Sequence, residues 1–265
     1  MIATWWRALR ARRDARILEQ RAIPDDLWRL TLARFAFLAL RPAAQLQRLR
    51  EMATLFLARK EFSGAHGLRV DDEMAVSIAA QACLPVLELG LDWYDGFVGI
   101  VVHSDVVTVR RERMDEAGVV HEYDESLAGE AMEGGPVMLS WRDVADAGDS
   151  ADWGYNVVIH EFAHVIDMRD GIADGVPPLP SRAARERWLA VLDAHYAAHC
   201  EEVDRGEEPL LDPYAVESLE EYFAVASETF FVAPLDLRSE LPDLYALLAD
   251  FYRQDPASHA VSRRA

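Results

Sequence analysis

The chain has 265 residues, of which 51% are hydrophobic, and its formal net charge is −19. This length and composition predict a globular protein with a substantial core. The two cysteines, Cys83 and Cys200, lie far apart in sequence, which argues against a disulfide framework and predicts free thiols in a reducing compartment. A membrane span is not expected, because the longest uncharged run, from Met74 to Leu87, falls short of about 20 apolar residues. Cytoplasmic residence is the expectation.

The charge is distributed unevenly along the chain. Residues 1–60 carry 13 Lys and Arg against 5 Asp and Glu, a surplus of +8, which leaves −27 for the other 205 residues. The basic start predicts a solvated helix that packs Trp5 and Trp6 inward, with docking on an acidic surface or membrane as the alternative. The acidic remainder repels phosphates, so direct nucleic acid binding is not expected.

Helical spacing dominates the first third of the chain. Residues 25–62 and 71–89 show the apolar periodicity of helices, with breaks near Ser63-Gly64 and Gly67. The segment from Phe97 to Val102 and the segment from Val106 to Arg111 then predict two strands of one sheet, in a spacing compatible with a hairpin.

Two further elements are predicted before the middle of the chain ends. The run from Pro136 to Trp141 has the length and composition of a strand. The run from Val157 to Ile166 is apolar enough to form a buried helix, and Asp152 or Asn156 is a suitable cap for its start. Asp170-Gly171 ends it.

The helix at residues 157–166 contains the pattern HExxH, formed by His160, Glu161 and His164. Positions four apart lie on one face of a helix, so both imidazoles can bind a single metal ion. The carboxylate of Glu161 is then close enough to accept a proton from water at that ion. The pattern is typical of zinc peptidases; the alternative is a core helix whose histidines form internal hydrogen bonds. Asp167, just beyond the pair, is expected to form a hydrogen bond with a ligand histidine.

Zinc at such a site requires a third protein ligand that approaches from another direction. Residues 217–232 are expected to form an aromatic-rich helix with Glu217, Glu221 and Glu228 on one face. Glu217 has an ordinary role available, since an acid in the first turn complements the helix dipole. Spacing alone does not choose between Glu221 and Glu228.

Several motifs resemble the Mlc titration factor A family of bacterial zinc peptidases. These are HEFAHVIDMRDG, LDPYAVESLEEYFAVASETFF, a late FYRQDP, WYDGFVGIVV and GEAMEGGPVMLSW. The resemblance runs from about Trp93 to Pro256. The chain is more distantly similar to the peptidase domain of anthrax lethal factor, where the third zinc ligand is a Glu seven residues after a Tyr. The resemblance therefore implies Glu221 as the ligand, paired with Tyr214.

A complete zinc site follows from this resemblance. It implies Zn²⁺ bound by His160, His164 and Glu221, with Glu161 as the general base. The phenol of Tyr214 would donate a hydrogen bond to the developing oxyanion. The alternative for this tyrosine is to anchor the turn in which it lies.

The expected fold is α+β and zincin-like, with a small mixed sheet, the HExxH helix and a largely helical amino-terminal part. We expect residues 1–90 to pack as a helical region on a catalytic region of residues 91–265. By resemblance to zinc peptidases, the strand at residues 136–141 is either the edge strand that pairs with the substrate backbone or an ordinary core strand. Glu228 is expected as a buried partner of the site.

The functional expectation is a cytoplasmic zinc-dependent peptidase of aminopeptidase type that acts on a peptide or protein substrate. The resemblance also implies, for some relatives, binding of the glucose-responsive transcriptional repressor Mlc. The main alternative is therefore a non-catalytic interaction protein that sequesters a transcription factor and has a structural zinc site. A zinc deformylase would need a cysteine ligand in its own motif, and neither Cys83 nor Cys200 lies in one.

Overall fold

The computed structural model describes residues 2–105, 107–114, 120–127, 129–131, 134–148 and 154–260. Within these residues the expected α+β architecture is confirmed. The helices are α1 Ile2–Arg21, α2 Asp25–Arg34, α3 Ala36–Ala39, α4 Ala43–Arg59, α5 Asp72–Cys83, α6 Trp141–Asp146, α7 Val157–Asp167, α8 Arg182–Asp204, α9 Leu219–Val232, α10 Pro234–Glu240 and α11 Pro242–Tyr252. The strands are β1 Glu61–Gly64, β2 Gly99–His103, β3 Val107–Met114, β4 Val120–Leu127, β5 Gly129–Ala131 and β6 Val137–Ser140.

The main sheet is small and mixed, as expected, with the strand order β1-β2-β6-β5. β2 pairs in parallel with both β1 and β6, whereas β5 runs antiparallel to β6. The strand at residues 136–141 is thus an inner strand, because β6 has neighbours on both sides. The edge-strand hypothesis for that segment is wrong, and its alternative as a core strand holds. The edge next to β6 is β5, a strand of only three residues.

The expected pairing of the segments near residues 97–102 and 106–111 is also wrong. β2 uses both of its edges for β1 and β6, so it has no edge left for β3. β3 instead forms a separate two-stranded antiparallel sheet with β4. Val106 lies outside the described residues.

The helical prediction for residues 25–62 holds only in part. It corresponds to α2, α3 and α4, which are interrupted at Phe35 and Pro42. Its last residues, from Glu61 onward, leave the helical conformation and form β1, where Glu61 pairs with Gly99 and Phe62 with Ile100. Tertiary pairing with β2 therefore overrides the helical spacing there. The proposed division at residue 90 stays a prediction, although β1 joins the sheet from the amino-terminal side of it.

Helix α1 lies on α4 and is held there by an ion pair between Asp14 and Arg59, at 2.8 Å. Trp5 is 60% exposed, so the expectation that it packs inward is wrong, and the side chain of Trp6, for which the same was expected, lies outside the described part of the structure. None of the helices within the described residues is long and apolar enough to cross a lipid bilayer. Cys83 and Cys200 are both free, as expected.

The core fixes α7 from the side opposite its histidines. Phe162 is fully buried, and its ring lies edge-on against Tyr94 at 4.9 Å and against Phe56 and Phe97 at 5.7 Å each. Edge-to-face contacts of this kind stabilise a packed core beyond the effect of burial alone. The face that carries His160 and His164 is thereby directed away from the aromatic cluster, since positions four apart share a face and position 162 does not.

Candidate metal centre

Helix α7 begins and ends at defined local signals. Asn156 caps its start, because the Asn156 Oδ1 atom accepts a hydrogen bond from Ile159 N at 2.9 Å. A short 3₁₀ turn, Met168–Asp170, continues the helix, and Gly171 ends it in the left-handed region with φ of 91°. The other expected cap, Asp152, lies outside the described residues. These signals make α7 a rigid support of three turns.

Helix α9 supplies the acids. Ser218 caps it, with Oγ accepting a hydrogen bond from Glu221 N at 3.2 Å. Glu221 lies in the first turn and Glu228 two turns later, where it is buried. Glu217 precedes the cap and is outside the helix, so it does not have the first-turn position expected for it.

Three side chains from α7 and α9 converge. Glu221 Oε2 lies 3.0 Å from His160 Nε2 and 3.4 Å from His164 Nε2, and the two imidazole nitrogens are 3.1 Å apart. These three residues form a group with metal-site dimensions in the part of the chain that the structure describes. Zinc bonds of about 2.0–2.1 Å at tetrahedral angles would separate ligand atoms by about 3.3–3.4 Å, close to the distances found.

The chemistry of these three atoms fits a cation. His160 Nδ1 lies 2.7 Å from Glu228 Oε1, so a proton on Nδ1 is donated to that carboxylate and Nε2 presents a lone pair to the site. Glu221 Oε2 is buried and has no hydrogen-bond partner among the described residues. Three donor atoms within 3.4 Å of one another repel unless a proton or a metal ion lies between them. The donor set therefore fits a metal ion such as zinc.

Glu228 connects the site to the rest of the core. Its second oxygen accepts a hydrogen bond from Asn156 N, and the Asn156 side chain donates to Gln81 Oε1 at 2.7 Å. The chain of contacts thus runs from α5 through the start of α7 to α9 and on to His160. Glu228 is the buried partner that was expected, and it fixes the orientation of the His160 ring.

The electrostatics of the site favour positive charge. Burial lowers the pKa of the His160 imidazole, but Glu228, Glu221 and Glu161 outweigh it and hold that pKa well above its ordinary value. Burial also opposes ionisation of Glu221, yet His160 and His164 bring the pKa of its carboxyl well below the usual range. Three carboxylates around one imidazole make a pocket in which a cation is stabilised.

Glu161 lies beside these residues and is only 4% exposed. Burial is the main reason that the pKa of its carboxyl rises to about 7. The edge strand β5 passes directly over it: a Cβ atom placed on Gly129 would overlap Glu161 Oε1. Only glycine therefore allows β5 to approach this carboxyl so closely.

Tyr214 lies in a 3₁₀ turn, Pro213–Val216, just ahead of α9. Its backbone N–H donates to Asp212 Oδ1 at 2.8 Å, which fixes the turn. The ring centroid is 6.2 Å from that of His160, and the side chain is 45% exposed. The structure thus brings Tyr214 to the open side of the same group of residues.

Asp167 has a different partner from the one expected. Its Oδ2 accepts a hydrogen bond from Gly175 N at 2.8 Å, and its buried Oδ1 has no partner among the described residues. The expectation that it supports a ligand histidine is wrong, because the side chain turns toward the loop after α7. Glu228 supports His160 instead.

Two residues at this site were missed from the sequence. Asn156 was considered only as a cap, and nothing in the pattern indicated that its N–H binds Glu228. Gly129 lies 32 positions before Glu161 in the chain. A single glycine ahead of the strand predicted at residues 136–141 is too common a signal to indicate a contact with a buried acid.

A helix-borne pair of histidines, a glutamate from a second helix and a buried acid beside them are the arrangement of a metallopeptidase, and that is the class that the comparisons support. The sequence model of the family described as "Glucose-regulated metallo-peptidase M90" matches residues 6–253. The chain belongs to this family, which confirms the resemblance to the Mlc titration factor A proteins.

Individual relatives cover most of the chain. It is 43% identical to Mlc titration factor A of Edwardsiella ictaluri over 213 residues, which is 79% of this chain and 80% of the relative. It is 37% identical to Mlc titration factor A of Salmonella arizonae over 236 residues, 88% and 92% of the two chains. An uncharacterised protein of Synechocystis is 35% identical over 243 residues, 90% and 87% of the two chains.

Proposed function

We propose that this metallopeptidase is a zinc-dependent peptidase of aminopeptidase type, with zinc bound by His160, His164 and Glu221. The observation that carries the proposal is the convergence of two imidazole nitrogens and one carboxylate oxygen within 3.0–3.4 Å, with the carboxylate oxygen left without a hydrogen-bond partner among the described residues. Two histidines and a glutamate are a common ligand set of catalytic zinc.

Glu161 is proposed as the general base. Zinc bound at this site would lower the pKa of a water molecule to about 7 and polarise a substrate carbonyl. The Glu161 carboxylate would accept the proton of the attacking water and return it to the departing amine. Burial raises the pKa of this carboxyl to about 7 in the metal-free site, and the charge of a bound zinc ion would lower it and favour the carboxylate form that a base requires.

Tyr214 is proposed as the donor to the oxyanion. Its ring lies next to that of His160 on the exposed side of the site, where a substrate would enter. A phenol hydrogen bond to the developing negative charge would stabilise the transition state more than the bound substrate.

The outer edge of β5 is the proposed track for the substrate backbone. β5 has one ladder partner, β6, among the described strands, and its first residue, Gly129, contacts Glu161. An extended peptide that adds to this edge would pass the carboxylate that acts as base. The substrate-pairing role expected for residues 136–141 is thereby proposed for β5, the strand that neighbours them.

A second candidate function is regulatory. Two of the relatives are named for the titration of Mlc, so binding of an Mlc-like transcriptional repressor is a proposal for this chain as well. If the function is regulatory alone, the chain would sequester a repressor without catalysis, and the zinc ion would only stabilise the structure. Either activity would take place in the cytoplasm, which the two free cysteines favour.

Hydrolysis of amino-acid 4-nitroanilides by wild type and by Glu161→Gln separates the two functions. Peptidase action predicts turnover by wild type and a loss of at least about 100-fold in the variant, as expected for a general base. Glu240→Gln, which alters an exposed acid on α10, is the control and should match wild type. Equal rates for wild type and Glu161→Gln, with zinc bound in both, would leave the interaction protein as the better proposal.

A further inference from the structure

A cavity of about 240 Å³ lies beside the carboxyl-terminal end of α7. Its apolar walls come from the segment before β2, from β6 and from the end of α7. They are formed by Trp93, Phe97, Val137, Val165 and Met168. Val165 lies one helical turn after Glu161 on the same face of α7, so the cavity lies toward the carboxyl-terminal end of the helix from Glu161.

Gly96, Gly134 and Gly135 complete the lining. A Cβ atom on Gly96 or on Gly134 would meet no atom within 4 Å, so a side chain at either position would project into open space. Gly134 has φ of 64°, which a larger residue would adopt only with strain, whereas no such restriction applies to Gly96.

The distance from Glu161 to the cavity can be followed along strand β5 and along helix α7. Along β5, Gly129 contacts Glu161, Ala131 lies about 6–7 Å further on, and Val137 of the cavity wall is its partner on the neighbouring strand, about 5 Å away. Along α7, the four residues from Glu161 to Val165 rise about 6 Å. Both paths place the cavity within reach of a side chain on the residue next to the reacting carbonyl.

We propose that this cavity binds a large apolar side chain of the substrate, the one immediately before the peptide bond that is cut. The proposal rests on the peptidase function and on the β5 edge as the substrate track. Antiparallel pairing is the more common arrangement between strands. Since β5 runs from Glu161 toward the cavity, an antiparallel substrate runs from the cavity toward Glu161, which places its amino-terminal residue in the cavity.

Size and charge define the class of side chain. A volume of about 150 Å³ is enough to hold benzene, so the space here, lined by five apolar side chains beside three glycines and Arg169, is large enough for a leucine or phenylalanine side chain. Arg169 adds one positive charge at the lining; its guanidinium lies 5.0 Å from the centre of the Trp93 ring and donates a hydrogen bond to Asp92 O. This charge disfavours lysine and arginine side chains, in spite of the acidic character of the chain as a whole.

Gly96→Leu tests the proposal by placing a large side chain at the lining of the cavity. Loss of the burial of one large apolar side chain should lower kcat/KM for leucine and phenylalanine anilides by about tenfold or more, with alanine anilide changed less than about twofold. Ala198→Leu, at an exposed position of α8, is the matched control and should keep the wild-type ratios. An equal loss of kcat/KM for all three substrates, or unchanged ratios of kcat/KM between them, would overturn the proposal. Arg169→Gln should raise the rate with lysine anilide relative to leucine anilide.

A binding measurement gives a readout that does not depend on turnover. Calorimetry on the zinc-loaded protein should find leucine hydroxamate bound about tenfold or more tightly than glycine hydroxamate, and Gly96→Leu should remove this preference. If Gly96→Leu is poorly folded, Gly96→Val with unchanged zinc content and Tm replaces it. If wild type prefers the leucine compound but cleaves no anilide, the peptidase function is refuted and the cavity proposal stands. Equal affinities for the two compounds would refute the cavity proposal itself.

Discussion

His160 Nδ1 and Glu228 Oε1 are 2.7 Å apart although the residues are 68 positions apart in the chain, and Glu228 is almost wholly inaccessible to solvent. This contact joins the centres of α7 and α9. It determines which nitrogen of His160 carries the proton and therefore which one faces His164 and Glu221. The orientation of the proposed zinc ligand is set by a residue that does not itself reach the site.

Glu228→Gln should weaken zinc binding without abolishing it. The amide keeps the shape of the side chain but loses the negative charge that holds the proton on His160 Nδ1, and loss of such a partner typically costs 10–100-fold in metal affinity. Competition with a fluorescent chelator measures the change. Affinity within twofold of wild type would show that the contact is not needed to orient His160.

Glu221→Ala should lose the metal. Wild type is expected to contain about one zinc per chain, and removal of one of three protein ligands should reduce this to a small fraction after dialysis. Elemental analysis of the purified proteins measures it, with His160→Ala as a second ligand variant. Zinc retained by Glu221→Ala but lost from Glu228→Ala would reverse the ligand assignment.

Gly129→Ala should impair catalysis while zinc stays bound. The new methyl group would occupy the space of the Glu161 carboxyl, so that carboxyl must move from its place beside the site. Displacement of a general base typically costs 10²–10⁴-fold in kcat. Anilide kinetics and zinc analysis on the same preparation measure both effects. Full activity of Gly129→Ala would mean that β5 shifts to accommodate the methyl group and that the Glu161 carboxyl keeps its place.

Tyr214→Phe should lower kcat and leave KM nearly unchanged. Removal of one oxyanion donor costs about 10²–10³-fold in kcat, because the hydrogen bond forms only as negative charge develops. A rise in KM at constant kcat would instead indicate that Tyr214 only helps to bind the substrate or anchors the turn.

Asp167→Asn should change how stability depends on pH. Burial raises the pKa of the Asp167 carboxyl from 3.8 to about 7. The folded protein therefore holds a proton that the unfolded chain has already released, and stability falls as pH rises from about 4 to 7. Asparagine does not titrate, so the variant should gain about 2–3 kcal/mol relative to wild type between pH 5 and pH 8.

Urea unfolding of the metal-free proteins at pH 5, 6, 7 and 8 measures this difference. Asp236→Asn, at an exposed position of α10, is the control and should follow wild type at every pH. A constant difference between Asp167→Asn and wild type across this range would contradict the raised pKa.

The strand predictions show why pairing could not be inferred from the sequence. Residues 97–102 and 106–111 have similar local patterns, yet β2 lies inside the main sheet and β3 belongs to another. Local composition indicates that a segment is extended, but it does not identify its neighbours. The same reason explains why residues 136–141 could be read as an edge strand and prove to lie inside the sheet.

The sequence by itself determined the elements whose information is local. The helix at residues 157–166, the spacing of His160 and His164 on one face and the helix that carries Glu221 and Glu228 all follow from residue order and the 3.6-residue period. Only the tertiary structure decided what lies across from each of these side chains. Glu221 approaches both histidines, Glu228 contacts the far nitrogen of His160, and Gly129 lies against Glu161, because packing of α7 against α9 and β5 brings together atoms that no local pattern relates.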